Sequence, residues 1–139
     1  MYCTLNDMVD RFELDELIQL TDTTGTGIID ESKVKAAIAD ASNIIDGYLG
    51  GRYNLPLANS PAVLVRLCAN MARYNLYDNA VSEVVERNNK AALDFLHNVG
   101  TGKIKLGLTS DSQELESDQV IQIDSDETVF NRDRSKGFI

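Results

Sequence analysis

Residues that build common catalytic and metal sites are scarce in this chain. Its 139 residues include two cysteines and one histidine, His97. Zinc hydrolases need at least two or three imidazole or thiolate ligands, and a nucleophile–histidine–acid triad needs a serine or cysteine close to the histidine. His97 falls in the last turn of a predicted helix, where interaction with the helix dipole explains it. The sequence therefore predicts a protein that is not an enzyme and that has no catalytic, metal-binding or cofactor-binding residues.

Long apolar runs are also missing. The longest apolar stretches are far shorter than the roughly 20 residues that a membrane span needs, and no basic start precedes an apolar stretch at the N-terminus. We therefore expect a protein without a membrane partner that keeps its thiols reduced. Cys3 and Cys68 lack a metal-like spacing. Cys68 is interpreted as core filler in an apolar helix, whereas Cys3 precedes the first helix, where a thiol can be exposed.

Positive charge is absent from a long stretch near the C-terminus. Residues 107–128 contain seven acids and no lysine or arginine, within a chain of net charge −9. DNA affinity comes largely from cationic neutralisation of phosphates, so this stretch disfavours nucleic-acid binding and the chain predicts no sequence-specific nucleic-acid partner. Arg66, Arg73 and Arg87 on the predicted helices are interpreted as solvated or ion-paired, because no aromatic residues interleave with them.

The apolar residues that are present recur at helical spacing. Capping residues precede four such segments: Thr4, Asp30, Ser60 and Ser82. The first segment either continues past Leu14 or gives way to a second short helix. Short connections between apolar-faced helices are typical of a bundle. We therefore predict an all-α fold, a small four- to five-helix bundle spanning residues 1–106.

Two of the predicted helices have recognisable ends. The long helix that Asp30 opens stops at Gly50 and Gly51, where the missing Cβ would permit the left-handed conformation of a helix C-terminus. The next helix is expected to be capped by Ser60, with Pro61 in its first turn, and to continue to about Asn79. Residues 107–139 are predicted to form an extended, acidic C-terminal arm, because a polar segment of this kind cannot bury enough surface to offset its ordering entropy.

The twelve residues that start at Asp22 imitate a calcium-binding EF-hand loop without its ligands. Gly27 stands at the sharp-turn position six. Thr24 and Thr26 replace the carboxylates of positions three and five, and Lys33 replaces the bidentate glutamate of position twelve. A cation there repels calcium, so a turn before an aspartate-capped helix is the better interpretation.

Two places in the chain are candidates for subunit or partner contacts. Arg52 and Tyr53 follow the glycine pair, and both residue types are enriched in interface hot spots. An arginine snorkelling over the bundle, with the tyrosine in its edge, is the alternative. The second place is the C-terminal end, where two aromatic residues flank two basic ones: Phe130, Arg132, Arg134 and Phe138.

Several stretches of the chain are similar to one known family. They are MYCTLNDMVDRF at the start, ELIQLTD at 16–22, DASNIIDGYLGGRYNLPL at 40–57, PAVLVRLCANMARYNLYD at 61–78 and VFNRDRSKGF near the end. On these residues the chain resembles a family of small proteins from Mu-like phages and prophages. The resemblance implies a virion structural protein, a head–tail connector or head-completion protein.

What the resemblance implies can be written as a set of expectations. The protein would be a subunit of a homo-oligomeric ring beneath the portal, with portal and tail or neck proteins as partners. It would be found in the virion neck, and in the host cytoplasm during assembly. The alternative is a non-structural accessory or regulatory module acting in head morphogenesis or DNA packaging.

Overall fold

A computed structural model describes residues 1–57 and 59–107 of the chain. Within these residues the fold has five helices and no strand: α1 (Leu5–Arg11), α2 (Leu14–Thr21), α3 (Glu31–Leu49), α4 (Ala62–Asn75) and α5 (Glu83–Gly100). This confirms the predicted small all-α bundle, and α1 and α2 are separate helices. The predicted arm lies outside the described residues except for Gly107. In the described part of the chain, no helix has the length and apolar character to cross a membrane.

Local hydrogen bonds explain where three of the helices begin. The Thr4 hydroxyl accepts from the Asp7 N–H at 3.1 Å, and the Asp7 carboxylate accepts from the Thr4 N–H at 2.8 Å, which makes a capping box. Asp30 caps α3 by accepting from two backbone N–H groups, and Ser82 caps α5 by accepting from Val85. These three predicted caps are confirmed.

The other predicted helix ends need correction. Gly50 caps α3 at the expected place, but its φ of −60° and ψ of −23° are right-handed, so the helix does not end through a left-handed glycine. Pro61, not Ser60, occupies the N-cap position of α4, and no side chain caps this helix. The helix ends at Asn75 rather than near Asn79, because Leu76 and the residue after it close a tighter final turn.

The core lies where α3, α4 and α5 pack against one another, and α1 packs on α3 and α4. Its largest fully buried side chains include Ile38, Ile45 and Leu49 from α3, Leu64 and Met71 from α4, and Leu96 and Val99 from α5. The spacing of Ile38, Ala41, Ile45 and Tyr48 predicts one apolar face for α3. The first three are buried and Tyr48 is partly buried, so this is the face that packs in the core. Burial of such a side chain contributes about 1.5–3 kcal/mol.

Cys3 is buried, with 3% of its surface exposed, although its place ahead of α1 allowed exposure. Contacts with the rest of the fold explain this burial. The N-terminal residues lie along α3, where the Tyr2 N–H donates to the Ser42 hydroxyl at 3.1 Å.

Candidate functional site

The end of α3 meets the end of α5 at the residues that the sequence marks as candidate contacts. The backbone N–H groups of Arg52 and Tyr53 both donate to the Leu49 carbonyl at 2.9 Å, which closes the chain into a tight turn. Tyr53 is 3% exposed, and its hydroxyl accepts from the Leu106 N–H at 3.3 Å. This turn therefore holds the segment that follows α5.

Two glycines of α5 and its following turn permit the close approach. A Cβ on Gly100 would lie 3.0 Å from the Tyr48 carbonyl oxygen. At Gly102 the φ angle is +88°, and a Cβ would lie 2.9 Å from the guanidinium carbon of Arg52. Residues other than glycine rarely adopt that backbone conformation. Arg52 thus packs directly on the turn that leads out of the helical domain.

Of the predicted contact residues, Arg52 and Tyr53 are described by the structure, and both are at least partly buried. Tyr53 lies inside the domain, so a partner would reach its ring only after the 101–107 segment had moved away. Arg52 is partly buried against Gly102. This arrangement is that of an arginine over the bundle with the tyrosine in its edge. The other four candidates, Phe130, Arg132, Arg134 and Phe138, lie outside the described residues.

A polar cluster that the sequence did not indicate attaches α2 to α4. Arg73 donates two hydrogen bonds to the Glu16 carboxylate, at 2.7 and 2.8 Å, and the Tyr77 hydroxyl donates to it at 3.0 Å. The guanidinium carbon of Arg73 also lies 4.5 Å from the centre of the Phe12 ring. Burial of Glu16 raises the pKa of its carboxyl, but the hydrogen bonds from Arg73 and Tyr77 outweigh it and lower the pKa.

The N-terminal residues form a second buried polar cluster on α3 and α4. The Tyr2 hydroxyl donates to the Asp46 carboxylate, and burial together with this bond raises the pKa of Tyr2. The Cys3 and Cys68 sulfurs are 3.3 Å apart, and Ser42 lies 3.6 Å from Cys68. These contacts hold the N-terminal residues against α3 and α4.

The loop between α2 and α3 is organised around one carboxylate. Asp22 accepts from the N–H groups of Gly25, Thr26 and Gly27 at 2.7–3.1 Å, and these bonds, that from Gly27 foremost, lower its pKa to about 2. The buried Thr21 hydroxyl joins the two ends of the loop, since it donates to a carbonyl of α2 and accepts from the Asp30 N–H at 3.0 Å. In the described ranges no three histidine, cysteine or acidic side chains are grouped as metal ligands.

Charge is unevenly distributed over the helical domain. Residues 4–22, which comprise α1, α2 and their caps, contain six acids and one base, Arg11. The rest of the chain through residue 107 contains eight acids and nine bases. Three of the acids in the first segment are exposed: Asp10, Glu13 and Asp15. The α1–α2 segment therefore carries all the net negative charge of the described domain.

The surface of the helical domain also contains basic residues and exposed apolar side chains. Arg66 and Arg87 are exposed, whereas Arg73 is ion-paired with Glu16. His97 is exposed in the last turn of α5. Exposed large apolar side chains include Met1, Leu14, Ile28, Ile44, Leu55 and Val84. Leu14 stands between Glu13 and Asp15 in the acidic segment.

Comparison with known proteins identifies the family. A model of the family described as Bacteriophage Mu, Gp36, matches residues 2–125. The chain is 39% identical to the Mu-like prophage FluMu protein gp36 of Haemophilus influenzae over 139 residues, which covers 100% of this chain and 99% of that protein. It is 35% identical to gene product J of Escherichia phage Mu over 140 residues, with 99% of each chain covered. The chain thus belongs to the Gp36 family of Mu-like phages and prophages.

Proposed function

We propose that the protein is a structural subunit of a Mu-like phage particle, a head–tail connector that forms a ring beneath the portal and joins the head to the tail. In this proposal it acts as an assembly component and not as an enzyme. Its place is the virion neck, and the host cytoplasm during assembly. Its partners are further copies of itself, the portal and the tail or neck proteins.

The observation that carries this proposal is the one-sided charge of the helical domain. A connector ring surrounds the path of the genome, so the surface that lines this path should repel DNA rather than bind it. The exposed acids Asp10, Glu13 and Asp15 give the α1–α2 segment this property, because like charges repel over about a Debye length. The remainder of the domain is close to neutral and is available for contacts between subunits.

The test is complementation of phage heads that lack this protein. Purified full-length protein is added, negative-stain images are searched for a ring of density below the portal, and infectious particles are counted. We expect wild-type protein to supply the ring. The variant Asp10→Asn/Glu13→Gln/Asp15→Asn should also supply it but yield fewer infectious particles, since DNA would be retained in the channel.

The matched control removes the same charge at three exposed acids outside the α1–α2 segment: Asp40→Asn, Asp78→Asn and Asp94→Asn. It should behave as wild type. An equal loss of infectivity in both triple variants would contradict a channel role for α1–α2. Heads that mature and join tails without any added density at the portal would contradict the connector proposal and favour the accessory module.

A further inference from the structure

The two cysteines of the chain are adjacent in space although 65 positions separate them. The Cys3 thiol donates to the Cys68 sulfur across 3.3 Å, and both residues are buried, with 3% and 0% of their surface exposed. A disulfide has an S–S length of about 2.05 Å, so the sulfurs must approach by a little over 1 Å to bond. Cys3 lies in the non-helical segment ahead of α1, where the backbone can make this adjustment.

A small oxidant has an approach to the pair from the side of Cys3. A cavity of about 240 Å³ lies beside Cys3, lined by Met1, Cys3, Thr4, Leu5, Lys35 and Ile38. One water molecule takes about 30 Å³ in the liquid, so the cavity has room for a molecule of the size of hydrogen peroxide. Cys68 does not line this cavity, and the approach is therefore from the Cys3 side.

We propose that Cys3 and Cys68 form a covalent modification site, at which a small peroxide oxidises the pair to an intrachain disulfide. One sulfur, as the thiolate, attacks a peroxide oxygen; the O–O bond breaks, and a sulfenic acid and hydroxide form. The second sulfur gives its proton to that hydroxide, which becomes water, and attacks the sulfenic sulfur. The S–O bond breaks, and the departing hydroxide takes up the proton that the first thiol lost on ionisation, which makes the second water. Two thiols and one hydrogen peroxide thus become one disulfide and two water molecules.

The surroundings of the pair favour this chemistry. The hydrogen bond from Cys3, aided by Ser42, lowers the pKa of the Cys68 thiol despite its burial, and the same bond raises the pKa of Cys3. One thiolate, at Cys68, is thereby stabilised next to one thiol at Cys3. Because the cavity lies on the Cys3 side, the Cys3 proton must pass to Cys68 along their hydrogen bond before Cys3 attacks the peroxide.

The disulfide would close a loop that contains α1, α2 and α3. A loop of this length restricts the unfolded chain strongly, so the oxidised protein should be the more stable form. It would also hold the N-terminal segment on α3 and α4 when its hydrogen bonds through Tyr2 are broken. This inference stands on the thiol geometry and is independent of the connector proposal.

The experiment uses the full-length protein, first reduced and then exposed to hydrogen peroxide. The protein is unfolded, its remaining thiols are alkylated, and the unreduced chain is digested with trypsin. We expect two alkylated cysteines before exposure and none after it, with peptides 1–11 and 67–73 joined by a reducible link. The melting temperature should rise by about 10 °C or more and return on reduction. Cys3→Ser and Cys68→Ser should each abolish the link and the rise.

Three outcomes would overturn the proposal. They are a disulfide-linked dimer in place of the internal link, a sulfinic acid at one cysteine while the other is still alkylated, and two alkylated thiols after Met1 has been converted to its sulfoxide. Met1 is 74% exposed and so reports that the peroxide dose was sufficient. The wild-type peptide map decides among these outcomes without depending on whether either serine variant folds.

Discussion

Individual residues at the end of α3 determine how the chain leaves the helical domain. Tyr53 holds Leu106 through a hydrogen bond at 3.3 Å, and Arg52 packs against Gly102 in the turn after α5. These contacts join residues about 50 positions apart. The position of residues 101–107 is therefore fixed by two side chains that follow α3 and not by α5 alone.

The Gly102→Ala variant tests this turn. The φ angle of +88° strains any residue with a Cβ, and the new methyl group would displace the Arg52 guanidinium, so we expect a loss of about 1–3 kcal/mol in the free energy of unfolding. Gly51→Ala is the control, since no atom lies within 4 Å of its Cβ position and its φ is not positive; it should change stability by about 0.5 kcal/mol or less. Urea unfolding measures both. Equal losses would show that the turn is not strained.

The Ile45→Asp variant tests which face of α3 is buried. Ile45 is fully buried, and an unpaired carboxylate there costs several kcal/mol against a total stability of about 5–15 kcal/mol. We therefore expect Ile45→Asp to unfold the domain, as circular dichroism and thermal melting would show. Asp40 is exposed on the same helix, and Asp40→Ala should leave the melting curve nearly unchanged. A cooperative transition in the Ile45→Asp variant would contradict the packing described for α3.

At the scale of elements, α2 is attached to the bundle by polar contacts as well as by the buried Leu17. Glu16 binds Arg73 and Tyr77 of the α4 region, and Thr21 ties the end of α2 to the start of α3. The loop between them depends on the Asp22 carboxylate, which accepts three backbone hydrogen bonds and does so more strongly when it is ionised. The stability of the loop is thus sensitive to protonation.

Asp22 makes the stability of this loop depend on pH. Its pKa is lowered to about 2 in the folded protein, below the unfolded value near 3.9, so its contribution is complete above about pH 4 and is lost as pH falls through 2. Asp22→Asn should therefore melt below wild type at pH 6, and the difference should shrink between pH 4 and 2. Asp94→Asn, which removes an exposed carboxylate of α5, controls for the change in net charge. A difference that is constant with pH would contradict the role of Asp22.

At the scale of the whole molecule, charge changes sign along the chain. The acidic α1–α2 segment is followed by a nearly neutral bundle, then by seven acids in residues 107–128, and the last eleven residues contain three bases and one acid. Such a distribution favours association between unlike ends of neighbouring copies over association between like ends.

Deleting residues 130–139 tests the C-terminal end as a docking element. Its two phenylalanines and two arginines combine apolar anchors with positive charge, so we expect the deletion to abolish attachment in the head complementation assay. The melting temperature of the domain should be unchanged. Phe130→Ala/Phe138→Ala and Arg132→Gln/Arg134→Gln separate the apolar from the ionic contribution. If the shortened protein completes heads and joins tails normally, the exposed surface of the bundle contains the docking site instead.

The sequence by itself determined the helical elements and most of their starts. Thr4, Asp30 and Ser82 cap helices because a short polar side chain can accept from a backbone N–H two or three residues ahead, and this geometry needs no other part of the chain. The buried face of α3 followed equally from spacing, since residues three and four apart share one side of a helix. The stretches that indicated the Mu-like family are likewise continuous segments of the sequence, and they are recognised without reference to the fold.

Only the tertiary structure decided which distant residues meet. Cys3 with Cys68, Glu16 with Arg73 and Tyr53 with Leu106 are separated by 65, 57 and 53 positions. Their contacts depend on how each helix is rotated and where it crosses its neighbours, and periodicity does not define these quantities. The same reason explains the burial of Cys3, which its place ahead of α1 did not indicate.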